Sequence, residues 1–210
     1  MGIVYPAPPA FPILTWATKP AAYPAGQVVF ISDYGTRGTY WVYDTGMSRW
    51  KPFGKQLLKS LDALSAATNN TETIRLQQLL PAAGLQVGDR IEARLSITKS
   101  GTTDTGSLRV RVGTAGTTGD AAVYSTTFLS AAQVHGGAIV EFRADSATTL
   151  QLLARSDYGY GGATTNPIPA PSTIPNISNA LYISASLLSG GATNTVIMAD
   201  AQFWISGPSS

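Results

Sequence analysis

Arg90-Ile91-Glu92-Ala93-Arg94-Leu95-Ser96-Ile97-Thr98 places an apolar side chain at every second position between five polar ones. A period of two is what a strand needs to bury one face and wet the other. The same rhythm returns downstream, where Leu108, Val110 and Val112 alternate with Ser107, Arg109 and Arg111. Six further segments fit it: 71–80, 121–128, 136–144, 148–155, 180–188 and 195–205. Between them stand turn sequences such as Thr103-Asp104-Thr105-Gly106, Thr118-Gly119-Asp120 and Ser189-Gly190-Gly191. Asp and Gly serve turns through local backbone bonding and freedom in φ.

Eight strands with no helical pattern between them predict two antiparallel sheets face to face, an eight-stranded jelly-roll-like β-sandwich over residues 71–210. Just upstream the pattern changes: Leu57, Leu58, Leu61 and Leu64 recur at three-to-four spacing, which predicts a short helical linker over 55–70. Before it, Gln27–Ile31, Thr39–Tyr43 and Met47–Phe53 are short runs rich in Val, Ile, Tyr and Trp. They are separated by Asp33-Tyr34-Gly35 and Asp44-Thr45-Gly46. That spacing predicts a three-stranded meander over 25–54. Residues 1–24 carry six of the 13 prolines. With φ fixed and amide donors missing, this stretch is expected to be an extended arm with no element of its own. The fold class is therefore all-β, with one helical interruption.

One connection departs from the rest. Ser156–Asn179 contains four prolines, three glycines and no periodicity. Long irregular loops in compact domains usually bind something or pack on a neighbour. Subunit contact and receptor contact weigh equally for this one. Within it, Tyr158 and Tyr160 flank Gly159, where small neighbours leave aromatic faces open to a sugar ring or an apolar receptor patch. The four tryptophans Trp16, Trp41, Trp50 and Trp204 are read as core or interface anchors.

Composition narrows the function. Only 12% of the 210 residues are charged, about half the usual share. Such an exterior suits coverage by partners, which points to a homo-oligomer. Nine Arg and five Lys are spread singly, so no basic cluster suits a phosphate backbone and no nucleic-acid partner is expected. No apolar run reaches membrane-span length and no membrane insertion is expected. Cysteine is absent, excluding disulfides and thiol nucleophiles.

No catalytic constellation emerges. The single histidine, His135, stands at a predicted strand start and reads as a surface turn residue. Asp33, Asp44, Asp104, Asp120 and Asp157 sit in turn contexts, while Glu92 and Glu141 fall on the wet faces of strands. No catalytic, cofactor-binding or metal-binding residue is assigned, and the chain is expected to be non-enzymatic.

Two stretches resemble known proteins. Trp16-Ala17-Thr18-Lys19-Pro20-Ala21-Ala22-Tyr23-Pro24-Ala25-Gly26, then Val28-Val29-Phe30-Ile31-Ser32-Asp33, then Asp44-Thr45-Gly46 with Ser48-Arg49-Trp50-Lys51-Pro52 resemble a short module of bacteriophage tail-fibre and related virion proteins. In that module a P-A-G turn starts a strand and a DG…W hairpin closes it. Here Thr45 intervenes between Asp44 and Gly46. In the second part, Ser65-Ala66-Ala67-Thr68, Glu72-Thr73, Ile97-Thr98-Lys99-Ser100-Gly101 and residues 104–116 are similar to phage structural proteins.

The resemblance implies a jelly-roll-like domain in a fibre, baseplate or head-decoration protein, commonly trimeric, and it carries over no binding residues. The expected function is a tail fibre or related appendage in the virion, made in the bacterial cytoplasm. Tyr5, Phe11, Ile13, Leu14 and Trp16 would attach it to other virion proteins. The alternatives are a carbohydrate-binding module for host surface glycans, reading them through Tyr158 and Tyr160, and a capsid-decoration or head-fibre protein.

Overall fold

A computed structural model describes residues 11–61, 65–67, 71–100, 105–128, 135–158, 170–191 and 195–208. The described residues contain strands and turns and no helix. Four strands come first: β1 (Ile13–Leu14), β2 (Val28–Ile31), β3 (Thr39–Asp44) and β4 (Arg49–Pro52). They form one sheet in chain order, antiparallel from β2 to β4, with β1 added parallel to β2. The proline-rich stretch thus contributes a strand where none was expected. Pro12 has no N–H to give, yet its carbonyl accepts the Phe30 amide at 2.9 Å, which suits an edge position.

Beyond this sheet come β5 (Gln56–Ser60), β6 (Ser65–Ala67), β7 (Thr73–Leu80), β8 (Arg90–Lys99), β9 (Gly106–Gly113) and β10 (Ala121–Phe128). They are followed by β11 (His135–Ser146), β12 (Thr149–Tyr158), β13 (Ser172–Thr173), β14 (Leu181–Ser189) and β15 (Val196–Ser206). One sheet runs β10-β9-β14-β7, and the larger runs β13-β12-β11-β8-β15-β5 with β6 also on β15. Inward side chains of both sheets join one core, including Leu95, Ile97, Val140, Phe142 and Phe203 from the larger and Leu108, Val110, Ile183 and Leu187 from the smaller. The fold is all-β and sandwich-like.

The strand pairings have a simple order. Among β5, β7, β8, β9, β10, β11, β14 and β15, the first pairs with the last, the second with the seventh, the third with the sixth and the fourth with the fifth. β15 also pairs with β8, and β14 with β9. The strand β12 stands outside this set, added beyond β11.

The described residues of 55–70, where a helical linker was expected, contain no helix. Gln56–Ser60 instead pairs antiparallel with β15, and Ser65–Ala67 pairs with the same strand. Leu58 is 1% exposed, whereas Leu57 and Leu61 are only half-buried. A free edge on β15 would leave a row of unpaired amides and carbonyls. Satisfying that row outweighs the weak helix preference of Lys, Gln and Leu.

The four-stranded sheet is fastened to the sandwich through an aromatic knot. Trp16, Tyr34 and Trp41 lie with ring centroids 4.8–4.9 Å apart. Trp16 Nε1 donates to Ala82 O at 2.9 Å, and the Tyr34 hydroxyl donates to Gly84 O, so two of the rings grip the turn after β7. Gly84 is required there. A Cβ would stand 2.7 Å from Pro81 O and 2.8 Å from the Tyr34 ring.

The assignment of β5 is checked by two truncations followed by urea unfolding. Leu58→Ala should cost about 2–5 kcal/mol, while Leu57→Ala should cost about 1 kcal/mol. Equal effects would contradict the strand.

Candidate functional site

Two surfaces carry chemistry beyond what folding uses. The first is the outer face of the β1–β4 sheet. Alternation sends Val29, Ile31, Trp41 and Tyr43 inward, and the residues between them are apolar too. Val28 lies opposite Val42 and Phe30 opposite Tyr40, with Ile13 beside Phe30. Phe11 packs edge-on against Tyr40 at 5.6 Å, and Phe30 lies 5.1 Å from the same ring. Phe11, Ile13 and Tyr40 are 48%, 72% and 40% exposed. A contiguous aromatic patch in water marks a contact surface, whereas a lone exposed apolar residue does not.

The second is a groove on the outer face of the larger sheet. In β8, Ile91, Ala93, Leu95 and Ile97 point to the core, so Arg90, Glu92 and Arg94 point away from it. Register then places Glu141 of β11 and Trp204 of β15 on either side of Glu92. Lys51 and Lys55, on and just beyond β4, approach from above. The tail Ser206-Gly207-Pro208 closes the end, leaving a cleft of about 430 Å³. A second depression of about 370 Å³ shares Arg90 and Pro208 with the first and continues past Arg143 and Asp145.

Charges in the groove are paired. Lys55 Nζ meets Glu92 at 2.5 Å, Arg94 bonds the other oxygen of Glu92, and Arg90 meets Glu141 at 3.0 Å. Arg143 holds Asp145, and Lys51 holds Asp44 at 2.7 Å. Burial tends to raise the pKa of Glu92, but the bonds from Lys55 and Arg94 outweigh it and hold the carboxyl below its ordinary range. Lys55 Nζ and Arg94 Cζ lie 5.5 and 5.7 Å from the Trp204 ring centre, within cation–π reach.

A third polar cluster closes on itself. Glu72 accepts from Arg109, from Arg111 at 2.6 and 2.8 Å, and from Ser186 at 2.5 Å. With both oxygens engaged by wall residues, it pins the chain ahead of β7.

The residues singled out from sequence scatter. Phe11 and Ile13 lie on the aromatic face, and Leu14 packs half-buried against the core. Trp16 is buried in the knot, so its ring is taken up by the interior. Tyr5 and Tyr160 lie outside the described residues. Tyr158 ends β12 opposite Gly137, and its side chain also lies outside them. His135 is exposed and pairs with Thr98 across β11 and β8.

Asp44 and Asp120 bond nearby turn amides as expected, while Asp33 reaches a distant amide. Asp33 accepts from Trp16 N at 2.6 Å, Asp44 from Met47 N at 3.1 Å and Asp120 from Gly116 N at 2.7 Å. Asp104 and the side chain of Asp157 lie outside the described residues. No group of three or more metal-ligating side chains occurs among the described residues. Trp204 was not separable from the other tryptophans by composition. Its phase was the available signal, for it alternates with Phe203 and Ile205 as Gln202 does. No protein-family model matches the chain, and no curated protein matches it significantly.

Asp89 ties the groove to the knot. It is 0% exposed, accepts from Gln86 N at 3.0 Å and faces Arg49 Nη2 at 3.3 Å. Arg49 also donates to Val87 O at 2.8 Å, bridging β4 to the 86–89 turn and so positioning Lys51 over β8. Burial raises the Asp89 pKa to about 7 against the pull of Arg49 and the Gln86 amide. In the unfolded chain this carboxyl loses its proton near its ordinary value of 3.8, while the native protein keeps it up to about 7. Between those values the native state binds more protons, so raising the pH favours unfolding. Urea midpoints should therefore fall from about pH 4 to about pH 7 and then level off. Asp89→Asn should flatten that slope; an unchanged slope would reassign the titration.

Proposed function

We propose that this chain is a non-enzymatic structural protein of a bacteriophage virion, a tail fibre or related appendage. In this reading it works as a homotrimer. The sheet at its N-terminal end seats on other virion proteins, and a jelly-roll domain projects for host or neighbour contact. The observation that carries the reading is the aromatic face of Phe11, Phe30 and Tyr40, continued toward the N-terminus by an apolar, proline-rich stretch. A sheet whose first three strands are apolar on both sides has one face more than its own fold can use. An occupant from the particle would cover the other, and the prolines of the stretch ahead of Phe11, which fix φ, would lower the entropy lost in docking.

Pairing first with last, second with seventh, third with sixth and fourth with fifth supports the jelly-roll part. A long antiparallel hairpin rolled into two sheets produces that order. It also revises which strands are meant, since β5 belongs to the eight and β12 is an addition. Support for a binding role over a catalytic one comes from the groove. Its two central carboxylates are each engaged by cations of the groove itself, Glu92 by Lys55 and Arg94 and Glu141 by Arg90, an arrangement that suits contact more than proton transfer. The resemblance of residues 16–52 to virion attachment modules points in the same direction.

Because Trp16 and β1 belong to the folded body, an informative lesion stops short of them. Phe11→Ser with Tyr40→Ser, two partly exposed positions, should lower incorporation into purified particles at least ~10-fold while shifting the unfolding midpoint little. Normal incorporation would refute the attachment face. Sedimentation of the unaltered chain should give three chain masses; a stable monomer would refute the trimer.

A further inference from the structure

We propose that the groove running from Lys55 and Trp204 past Arg90 to Arg143 binds a neutral, hydroxyl-rich oligosaccharide. The inference goes beyond attachment to a particle and uses different residues. Its shape comes first. Two adjacent depressions of about 430 and 370 Å³ share Arg90 and Pro208 in their walls, so the concave surface extends over both. Each is in the size range of small-molecule sites. A chain of two or three sugar rings fits a surface of that extent better than a compact ligand.

Charge chooses the ligand class. The lining carries four cations, Lys51, Lys55, Arg90 and Arg143, and three carboxylates, Glu92, Glu141 and Asp145. Lys51 is further neutralised by Asp44. An anion would find each lining cation already held by a carboxylate, with Glu92 shared between Lys55 and Arg94. A nucleic acid needs a run of uncompensated cations, which is missing. An apolar ligand would strip water from several ion pairs and replace it with nothing that bonds to them, a heavy cost.

A sugar hydroxyl suits these pairs because it donates and accepts at once. Across the Arg90–Glu141 pair, a single hydroxyl can give its hydrogen to a carboxylate oxygen and take one from the guanidinium. Each carboxylate has about four lone-pair sites and each guanidinium five N–H donors, so one mutual bond leaves most of them available. The pairs themselves lock the side chains, which lowers the entropy lost when a ligand binds. All of the central groups stand on β8, β11 and β15, neighbouring strands of one sheet, which hold them more firmly than a loop would. Trp204 supplies the aromatic surface of the cleft, the usual complement to the C–H side of a pyranose ring.

The test is titration of the full chain, followed by the indole N–H signal of Trp204 in NMR. The probes are α- and β-linked di- and trisaccharides of glucose, galactose and N-acetylglucosamine, with 3′-sialyllactose as the charged control. At least one neutral probe should shift the Trp204 signal saturably, with half-saturation below ~10 mM. Glu141→Gln, at a partly exposed position, should weaken that binding ~10-fold or more. Trp204→Ala should do the same, read by saturation transfer to the sugar protons. Silence across the panel, undiminished binding by both variants, or preference for the charged control would each overturn the proposal. None of these results bears on incorporation into particles, which depends on Phe11 and Tyr40.

Discussion

The ladder between β8 and β15 is the constraint on which both the core and the outer groove depend. Its register sets Ile91 against Ile205, Ala93 against Phe203 and Leu95 against Ala201 on the inner side. The same register sets Glu92 against Trp204 on the outer side. A slip of one residue would exchange the faces, burying charge and exposing the core. Energy on the inside therefore enforces geometry on the outside. The sequence of β15 would fall out of phase along its length but for one irregularity. Between Met198 and Asp200 the pairing shifts by a residue, so that Val196 and Met198 point inward before it and Ala201, Phe203 and Ile205 after it. A bulge of this kind absorbs the extra residue by bending the strand.

β15 also organises the chain between the two parts. It receives β5 along one stretch and β6 along another, which commits the segment after β4 to the edge of the larger sheet. The four-stranded sheet is thereby drawn onto the sandwich, where Trp16, Tyr34 and Arg49 grip residues 82–89. Gly35 shows how close this approach is: its φ is +79°, and an added Cβ would stand 2.9 Å from Leu58 O. The aromatic face and the groove are two consequences of one arrangement. The inner side of the small sheet is used by the knot, its outer side is apolar over β1 to β3, and its last strand contributes Lys51 to the lining of the groove.

The carboxyls divide by environment. Glu72 and Glu92 have cations and hydroxyls near enough to outweigh the cost of burial, so they stay ionised below the ordinary range. Asp89 has a guanidinium beside it as well, but its side chain is wholly removed from water and burial prevails. The first pair lends stability that is lost as pH falls through the acid range, and the second group acts in the opposite sense at higher pH.

Strands β7 to β12, β14 and β15 were legible in the residues because a period of two is local: each residue's side is decided by its neighbours in the chain. Asp44 and Asp120 were legible for the same reason, bonding amides three and four residues away, whereas the Asp33 bond to Trp16 N spans 17 residues and was not. The β5 strand was not. Five residues with two adjacent leucines satisfy a helix or a strand equally, and the unpaired edge that decided between them belongs to β15, more than 130 residues later. Trp16 and Phe11 looked alike as apolar anchors, and only packing against Tyr34 and Trp41 took Trp16 inside while Phe11 stayed exposed. Alternation alone placed Glu92 and Glu141 on wet faces, whereas Trp204 was read with the other tryptophans as a core or interface anchor. That they share one groove follows from strand order and register, which arise from long-range pairing that no local pattern encodes.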